Sequence, residues 1–380
     1  MASRTGISIG LAVALAGLMA AAQALAMEAR TEPYGVSAEG APVEAYTLVN
    51  DRGMMVRILS HGARIDTVRT PDRQGRFANV VLGLPDLAAY EANGSFNCII
   101  GRYANRISGG GFTLDGVRYP LPSNARGISS HGGPTGFCTR NWAGRTFHAR
   151  GRAGVVLTYR AADGENGFPG ALDVTVTYTL DNRGALRIDY AATTDRPTIV
   201  NLTNHAYFNL SGDAARDVLD HWLTVAADSY TPGDEALVPT GEIAPVAGGP
   251  LDLRRPARIG DRVGKGHPEM RFSRDGFDHN FMLRPARRGR PVLAARLEDP
   301  QSGRGLEVLT TEPGVQVYTA NHWNGTLRAA SGAMLRKHHG VALETQHVPD
   351  SPNKPQFPST VLRPGETFRS TTLFRFYVAR

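Results

Sequence analysis

Short runs of alternating apolar and polar residues, separated by glycine-containing and proline-containing turns, cover the chain from Val43 onward. Such alternation is typical of strands with one buried face. We predict strands over Val43–Val49, Met55–Leu59, Ala63–Arg69, Val80–Gly83, Val155–Tyr159, Leu172–Leu180, Leu186–Ala192, Val292–Leu297, Leu306–Thr310, Val315–Thr319, Val341–Gln346 and Thr371–Tyr377. A hairpin is expected over Phe112–Leu121, turning at Asp115-Gly116, and one brief helix over Asp86–Ala92. Many short strands with regular turns predict an all-β protein, a large antiparallel β-sandwich.

The chain of 380 residues shows no composition break after its first segment. Residues 1–26 combine an early arginine, a short apolar run and a small-residue cleavage pattern, which predicts a secretory signal peptide cut after Ala26. An uncleaved membrane anchor is the alternative. We expect residues 27–42 to be an N-terminal linker and residues 43–380 to form a single domain. The protein is then periplasmic or secreted, without stable membrane insertion after cleavage.

The net charge of +7 falls by one without the signal, which holds one arginine and no acid. The basic residues are scattered and lack interleaved aromatic residues, so no nucleic-acid partner is expected. Two cysteines, Cys98 and Cys138, are too few for a disulfide framework, and whether they pair with each other is open at this stage. Neither has the ligand spacing of a zinc site.

Period-two alternation over residues 199–210 separates an apolar face from a polar face made of Asn201, Thr203, His205, Tyr207 and Asn209. Uncharged donors and acceptors around one imidazole suit a ligand rich in hydroxyl groups, because they can pair with it without burying net charge. The alternative is an ordinary solvated sheet face. We favour the binding surface, because lysine and glutamate would be commoner on a solvated face.

Further polar residues occur where loops meet buried strands. His131 lies in the glycine-rich loop Ser130-His131-Gly132-Gly133, and Asn105 and Arg106 follow a buried strand. Asp278 and Gln316 are embedded in apolar strands and therefore need polar partners. Glu344 ends the strand Val341–Gln346 just before a proline-rich loop, where it is either an exposed glutamate or a base at the edge of a rigid sheet.

Five motifs, in the same order along the chain, resemble those of the aldose 1-epimerase (galactose mutarotase) family. They are GRYANR at 101–106, SHGG at 130–133, NLTNHAYFN at 201–209, FDHNF at 277–281 and LETQ at 343–346. The resemblance runs from about Val43 to the C-terminus. It implies a galactose mutarotase-like supersandwich that interconverts the α and β anomers of free aldoses such as galactose and glucose.

The resemblance also implies roles for individual residues. Glu344 corresponds to the catalytic base, His205 to the catalytic acid and His131 to a second active-site histidine. Substrate-binding positions correspond to Asn105, Arg106, Asp278 and Gln316. Two departures, Ser130 in place of a common leucine and His322-Trp323 where a phenylalanine is commoner, bear on the preferred sugar.

Anomer exchange requires one base for the C1 hydroxyl and one acid for the ring oxygen, which we expect on opposite sides of the reacting centre. We expect mutual attraction to keep Glu344 ionised and His205 protonated. No cofactor and no metal are expected, and the partner is a small-molecule aldose bound to a monomer or homodimer. Alternatives are a non-catalytic carbohydrate-binding β-sandwich, a glycosidase pairing Asp278 with Glu344, and a sugar-phosphate epimerase.

Overall fold

The computed structural model describes residues 27–285 and 289–379. The expected signal peptide, residues 1–26, lies outside the described residues, so its cleavage stays a prediction. The first strands are β1 (Glu28–Val36), β2 (Pro42–Val49), β3 (Met55–Leu59), β4 (Arg64–Pro71), β5 (Phe77–Asn79), β6 (Ile99–Ile100), β7 (Arg106–Ile107), β8 (Gly111–Leu114), β9 (Val117–Pro120), β10 (Ser129–Ser130), β11 (Ala143–Ala149), β12 (Arg152–Ala161), β13 (Leu172–Asp181) and β14 (Ala185–Thr194).

The chain continues with β15 (Thr198–Ile199), β16 (Thr203–Asn204), β17 (Tyr207–Phe208), β18 (Trp222–Val225), β19 (Ala227–Thr231), β20 (Ala244–Pro245), β21 (Ala257–Arg258), β22 (Asp278–Leu283), β23 (Val292–Glu298), β24 (Arg304–Thr310), β25 (Gly314–Tyr318), β26 (Asn324–Arg328), β27 (Met334–Arg336), β28 (Val341–Gln346), β29 (Val361–Leu362) and β30 (Phe368–Val378). One short helix, α1 (Leu87–Ala92), begins after Asp86, whose carboxylate accepts a hydrogen bond from the amide of Ala89. Among the residues with described structure, no helix is long and apolar enough to cross a membrane.

Three large antiparallel sheets organise the molecule. The largest has nine strands in the order β11-β12-β13-β14-β30-β24-β23-β18-β21, the second has six in the order β17-β28-β25-β22-β19-β20, and β1 to β5 form a five-stranded meander. The two larger sheets pack face to face, and Phe208 of β17 meets Phe374 of β30 edge to face. The prediction of an all-β, large antiparallel sandwich is therefore confirmed.

Alternation in β28 decides which of its residues enter the core. Val341 and Leu343 belong to the main hydrophobic cluster, and Thr345 pairs with Thr372 of the nine-stranded sheet. The intervening side chains, including Glu344, consequently point to the opposite face of the six-stranded sheet. Loops and short strands cover that outer face, and Glu344 is therefore only 2% exposed.

Two expected elements were wrong. The expected linker over residues 27–42 instead carries β1, which pairs with β2 over most of its length. Residues 80–83 do not form the expected strand, since β5 ends at Asn79 and Val81 makes only an isolated bridge to Phe208. The expected hairpin at β8 and β9 and the expected helix are both present.

The expected continuous strand over residues 199–210 is also wrong. Only β15, β16 and β17 are regular, at two residues each. The backbone between them pairs with different parts of the chain, because Asn201 N donates to Arg102 O and His205 N donates to Cys98 O. Each polar side chain in this segment therefore has its own surroundings instead of sharing one sheet face.

A disulfide bond joins Cys98 and Cys138, which resolves the pairing that the sequence left open. Cys98 immediately precedes β6, and Cys138 follows the glycine-rich loop that contains His131. The bond closes a loop that carries Asn105, Arg106 and His131. The disulfide thus holds the loop with these three expected site residues against the start of β6.

Candidate active site

Strand register brings three of the expected residues together on the outer face of the six-stranded sheet. Glu344 of β28 is paired with Gln316 of β25, and Gln316 is paired with Asn280 of β22. One step along the same face, Asp278 is paired with Tyr318. Because paired residues in antiparallel strands share a face, these side chains form one polar patch.

His205 stands beside Glu344, on the segment between β16 and β17. Its Nε2 is 3.4 Å from Glu344 Oε1, and both side chains are buried. His131 packs against His205, with ring centroids 5.3 Å apart in an edge-on arrangement. The chain at His131 has a φ of +52°, and the next residue, Gly132, leaves no room for a side chain, because a Cβ there would lie 2.1 Å from Gly101 O.

Asp278 connects the remaining residues expected in the site. It accepts hydrogen bonds from Arg106 Nη2 at 3.1 Å and from Gln316 Nε2 at 2.6 Å. Arg106 Nη1 also donates to Asn105 Oδ1 at 3.2 Å. Contacts and strand register therefore bring all seven residues expected from the sequence into one site, where the charges of Arg106 and Asp278 offset each other in an ion pair.

Burial controls the protonation of the Glu344–His205 pair. It raises the pKa of Glu344 to about 8, with a further increase from the nearby Asp278 carboxylate, while Arg106 acts in the opposite direction. Burial lowers the pKa of His205 to about 4. The pKa of His131 is also well below its usual value, through burial and the neighbouring His205 and Arg106.

The expectation that mutual attraction keeps Glu344 ionised and His205 protonated is thus wrong for this structure. Burial of both groups favours the neutral carboxyl and the neutral imidazole. The two groups are adjacent to each other, and their placement on opposite sides of the reacting centre stays a prediction. The neutral pair and the ion pair hold the same number of protons and differ by a single proton transfer.

Several residues of the expected polar face have structural roles instead. Asn201 Nδ2 donates to the carbonyls of Ala104 and His347, and its Oδ1 accepts from His347 N. Asn209 Nδ2 donates to the carbonyls of Arg216 and His339. These amides satisfy the backbone of neighbouring loops, so they are not available to a ligand.

An aromatic wall borders the site, and of its residues Tyr318 was not among those expected from the sequence. Tyr207 packs against His205 and Trp323, with ring centroids 5.0 and 4.7 Å apart, and Tyr318 packs edge-on against Tyr207 at 6.1 Å. The hydroxyl of Tyr318 is 2.9 Å from His322 Nδ1. Tyr318 lies two positions from Gln316 on the same strand, so alternation was the signal that pointed to it.

A small cavity of about 20 Å³ opens beside the site and is bordered by Asp278, Asn280, Gln316 and Pro349. A larger cavity of about 990 Å³ lies elsewhere, and its charged lining includes Asp228, which is ion-paired with Arg254 and Arg284. The smaller cavity is bordered by two of the residues expected in the site, Asp278 and Gln316, which makes it the candidate site. Over the described part of the chain, no three His, Cys, Asp or Glu side chains are grouped to hold a metal ion.

Comparison with known proteins assigns the class to which this fold and site belong. The family model described as Aldose 1-epimerase matches residues 44–375. The galactose mutarotase of Mus musculus is 46% identical over 341 residues, covering 90% of this chain and 96% of that protein. The aldose 1-epimerase of Escherichia coli (strain K12) is 36% identical over 349 residues, covering 91% and 98%.

Solved structures agree with the sequence relatives. The crystal structure of a galactose 1-epimerase from Lactobacillus acidophilus NCFM superimposes with a TM-score of 0.81 at 30% identity, covering 93% of this chain and all of that one. The chain therefore belongs to the aldose 1-epimerase family. It is an enzyme of the aldose 1-epimerase type, with the galactose mutarotase fold.

Proposed function

We propose that the protein interconverts the α and β anomers of free aldoses such as galactose and glucose, with Glu344 as the base and His205 as the acid. The observation that carries this proposal is the buried contact of 3.4 Å between His205 Nε2 and Glu344 Oε1. The C1 hydroxyl oxygen and the ring oxygen of an aldose are bonded to the same carbon. An adjacent base and acid therefore suit the two proton transfers.

Ring opening balances within this pair. Glu344 takes the proton of the C1 hydroxyl and His205 gives a proton to the ring oxygen, while the bond from C1 to the ring oxygen breaks and an aldehyde forms. Rotation about the bond from C1 to C2 exposes the other face of the aldehyde, and the reverse transfers reclose the ring. After opening, the enzyme holds a neutral carboxyl and a neutral imidazole, the forms that burial favours. The surroundings thus stabilise the proton arrangement that accompanies the open-chain sugar.

The other site residues orient the sugar. Arg106, Asn105, Asp278 and Gln316 present donors and acceptors to its hydroxyl groups at little net charge. His131 lacks the contact with Glu344 that His205 makes, so we assign it as a hydrogen-bond partner of the sugar, with a pKa lowered by burial and by His205 and Arg106. Such groups contribute by holding the reacting carbon against the Glu344–His205 pair.

Polarimetry of freshly dissolved α-galactose or α-glucose tests the proposal directly. Glu344→Gln should lower the enzymatic rate by about 10²–10⁴-fold, because it removes the proton acceptor while keeping the shape of the side chain. Glu39→Gln, at an exposed glutamate, is the matched control and should keep the full rate. Full activity of Glu344→Gln would disprove the assignment of the base. Sugar binding by the unmodified protein without faster mutarotation would instead favour the carbohydrate-binding module.

We also propose that the protein works outside the cytoplasm, in the periplasm or as a secreted protein. Two features support this location: the sequence pattern of residues 1–26 and the disulfide between Cys98 and Cys138, a bond that persists in oxidising compartments. Amino-terminal sequencing of the protein recovered from its native host should begin at Met27. An intact first segment on cytoplasmic protein would contradict both the cleavage and the location.

A further inference from the structure

Next to Glu344, the outer face of the six-stranded sheet carries a second group of polar side chains. Gln346 is two residues beyond Glu344 on β28, so its side chain lies on the same face, and it is paired with Gly314 of β25. Thr203 lies on β16, which packs against β28. Continuing the β17–β28 register, in which Tyr207 is paired with Ala342, places His205 level with Glu344 and Thr203 level with Gln346.

These side chains contain polar atoms without protein partners. Gln346 Nε2 and Oε1, Thr203 Oγ1, Asn280 Oδ1 and Glu344 Oε2 are all buried and accept or donate no hydrogen bond among the described residues. An unpaired polar group of this kind destabilises the folded protein, so native proteins supply it with a partner. A water can accept from the Gln346 amide and the Thr203 hydroxyl and donate to two of the three remaining oxygens, whereas a single hydroxyl group can donate to only one.

Gly314 makes this arrangement possible. A Cβ at Gly314 would lie 2.7 Å from Asn280 Oδ1, so the amide of Asn280 leans over a position that has no side chain. Asn280 on β22 and Gln346 on β28 therefore lie on the two sides of β25 at Gly314, which has no side chain. A buried water needs two to four polar partners, and the amide groups of Asn280 and Gln346 on either side of Gly314 can supply them.

We propose that Gln346, Thr203 and Asn280 form a buried water-binding pocket beside Glu344, and that Gln346 is a positioning residue that holds the Glu344 carboxyl through this water. The inference rests on the proposed role of Glu344 as the base. Water is favoured over a substrate hydroxyl because Gln346 and Thr203 are completely buried, whereas Asn280 and Gln316 each keep 3% exposure. The end of the pocket formed by Gln346 and Thr203 is thus closed to solvent.

A water held by Gln346 would donate a hydrogen bond to Glu344 Oε2 and stabilise the ionised carboxylate. It would therefore oppose the effect of burial, which favours the neutral form. Other groups that act on the carboxyl face it from neighbouring elements, namely His205, Tyr207, Asp278, Tyr318 and Arg106. None of these is altered by a substitution at Gln346, so such a substitution reports on the water contact itself.

The test compares the pH dependence of mutarotation in Gln346→Met with that of the unmodified protein. Methionine keeps the length of the side chain but removes both polar atoms. We expect the alkaline limb of the kcat profile to move upward by about one pH unit and the plateau rate to fall about tenfold, with little change in KM. Thr345→Val is the matched control, because it removes a hydrogen bond from the core face of the same strand and should leave the pH profile in place.

A second pair of variants keeps the test decisive if Gln346→Met does not fold. Thr203→Val should shift the alkaline limb in the same direction, and Thr203→Ser, which retains the hydroxyl, should restore it. If the unmodified protein is active and the pH profiles of Gln346→Met and Thr203→Val both superimpose on its profile, the inference about the water is overturned while the proposed function stands. A rise in KM that disappears with one deoxy sugar would overturn it as well, by showing that the pocket binds a substrate hydroxyl. Absence of mutarotation by the unmodified protein would overturn the proposed function together with this inference.

Discussion

The protonation of the Glu344–His205 pair predicts an unusually broad pH profile for mutarotation. Activity requires that the pair holds one proton, because one of the two groups must accept a proton from the sugar while the other donates one. Below a pH of about 4 the imidazole also becomes protonated and no base remains, because burial has lowered the pKa of His205 to about 4. Above a pH of about 8 the last proton is lost and no acid remains, because burial has raised the pKa of Glu344 to about 8. The rate should be nearly constant between these limits.

The loss of rate between pH 6.5 and 7.5 distinguishes a buried pair from a solvated pair. With unperturbed pKa values of about 4.3 and 6.5, the rate would fall about fivefold between pH 6.5 and 7.5, whereas the buried pair should lose little over that interval. The assay is kcat/KM by polarimetry from pH 3.5 to 9.5, with the uncatalysed rate subtracted at each pH. His148→Gln, at an exposed histidine, should reproduce the unmodified profile. A narrow profile with an alkaline limb near 6.5 would refute the argument that desolvation dominates the site.

Three further predictions concern stability and binding. Reducing the disulfide, whose cysteines are 40 residues apart, should lower the free energy of unfolding by about 4 kcal/mol in urea titrations, and a loss below about 1 kcal/mol would contradict the loop-closure argument. Asp278→Asn removes the partner of Arg106 and a negative charge beside Glu344, so KM should rise about tenfold or more and the alkaline limb should move to lower pH; an unchanged KM would remove Asp278 from the binding site. Glu312 accepts a hydrogen bond of 2.6 Å from His347 and raises its pKa, a contribution that is complete below about pH 6.5 and lost as pH rises through the higher folded value. Glu312→Gln should therefore cost about 2 kcal/mol more at pH 6 than at pH 9 in thermal unfolding, and equal costs would contradict the linkage.

Alternation and turn residues are local properties of the chain, and they suffice for most of the strands. The limits of β3 agree with the prediction to the residue, and the hairpin of β8 and β9 follows from Asp115-Gly116. The two-residue period also places Glu344 on the face opposite Leu343. The seven expected site residues come from family motifs, and the fold brings them together.

Other features depend on segments that are distant in the chain. Residues 199–210 look like one alternating strand, yet their backbone pairs with several different segments, and Asn201 and Asn209 satisfy loop carbonyls. Neither the pairing of Cys98 with Cys138 nor the inclusion of β1 in a sheet follows from local pattern. The disulfide and the pairing of β1 both depend on which segments lie next to each other after the large sheets have packed.

The sequence by itself determined the all-β architecture, the faces of the main strands and, through the family motifs, the residue types at the site. Only the tertiary structure decided the protonation of Glu344 and His205 and the surroundings of Gln346. The physical reason is desolvation. A side chain's pKa and its unmet hydrogen bonds depend on what covers it, and the groups that cover Glu344 come from strands and loops far apart in the sequence.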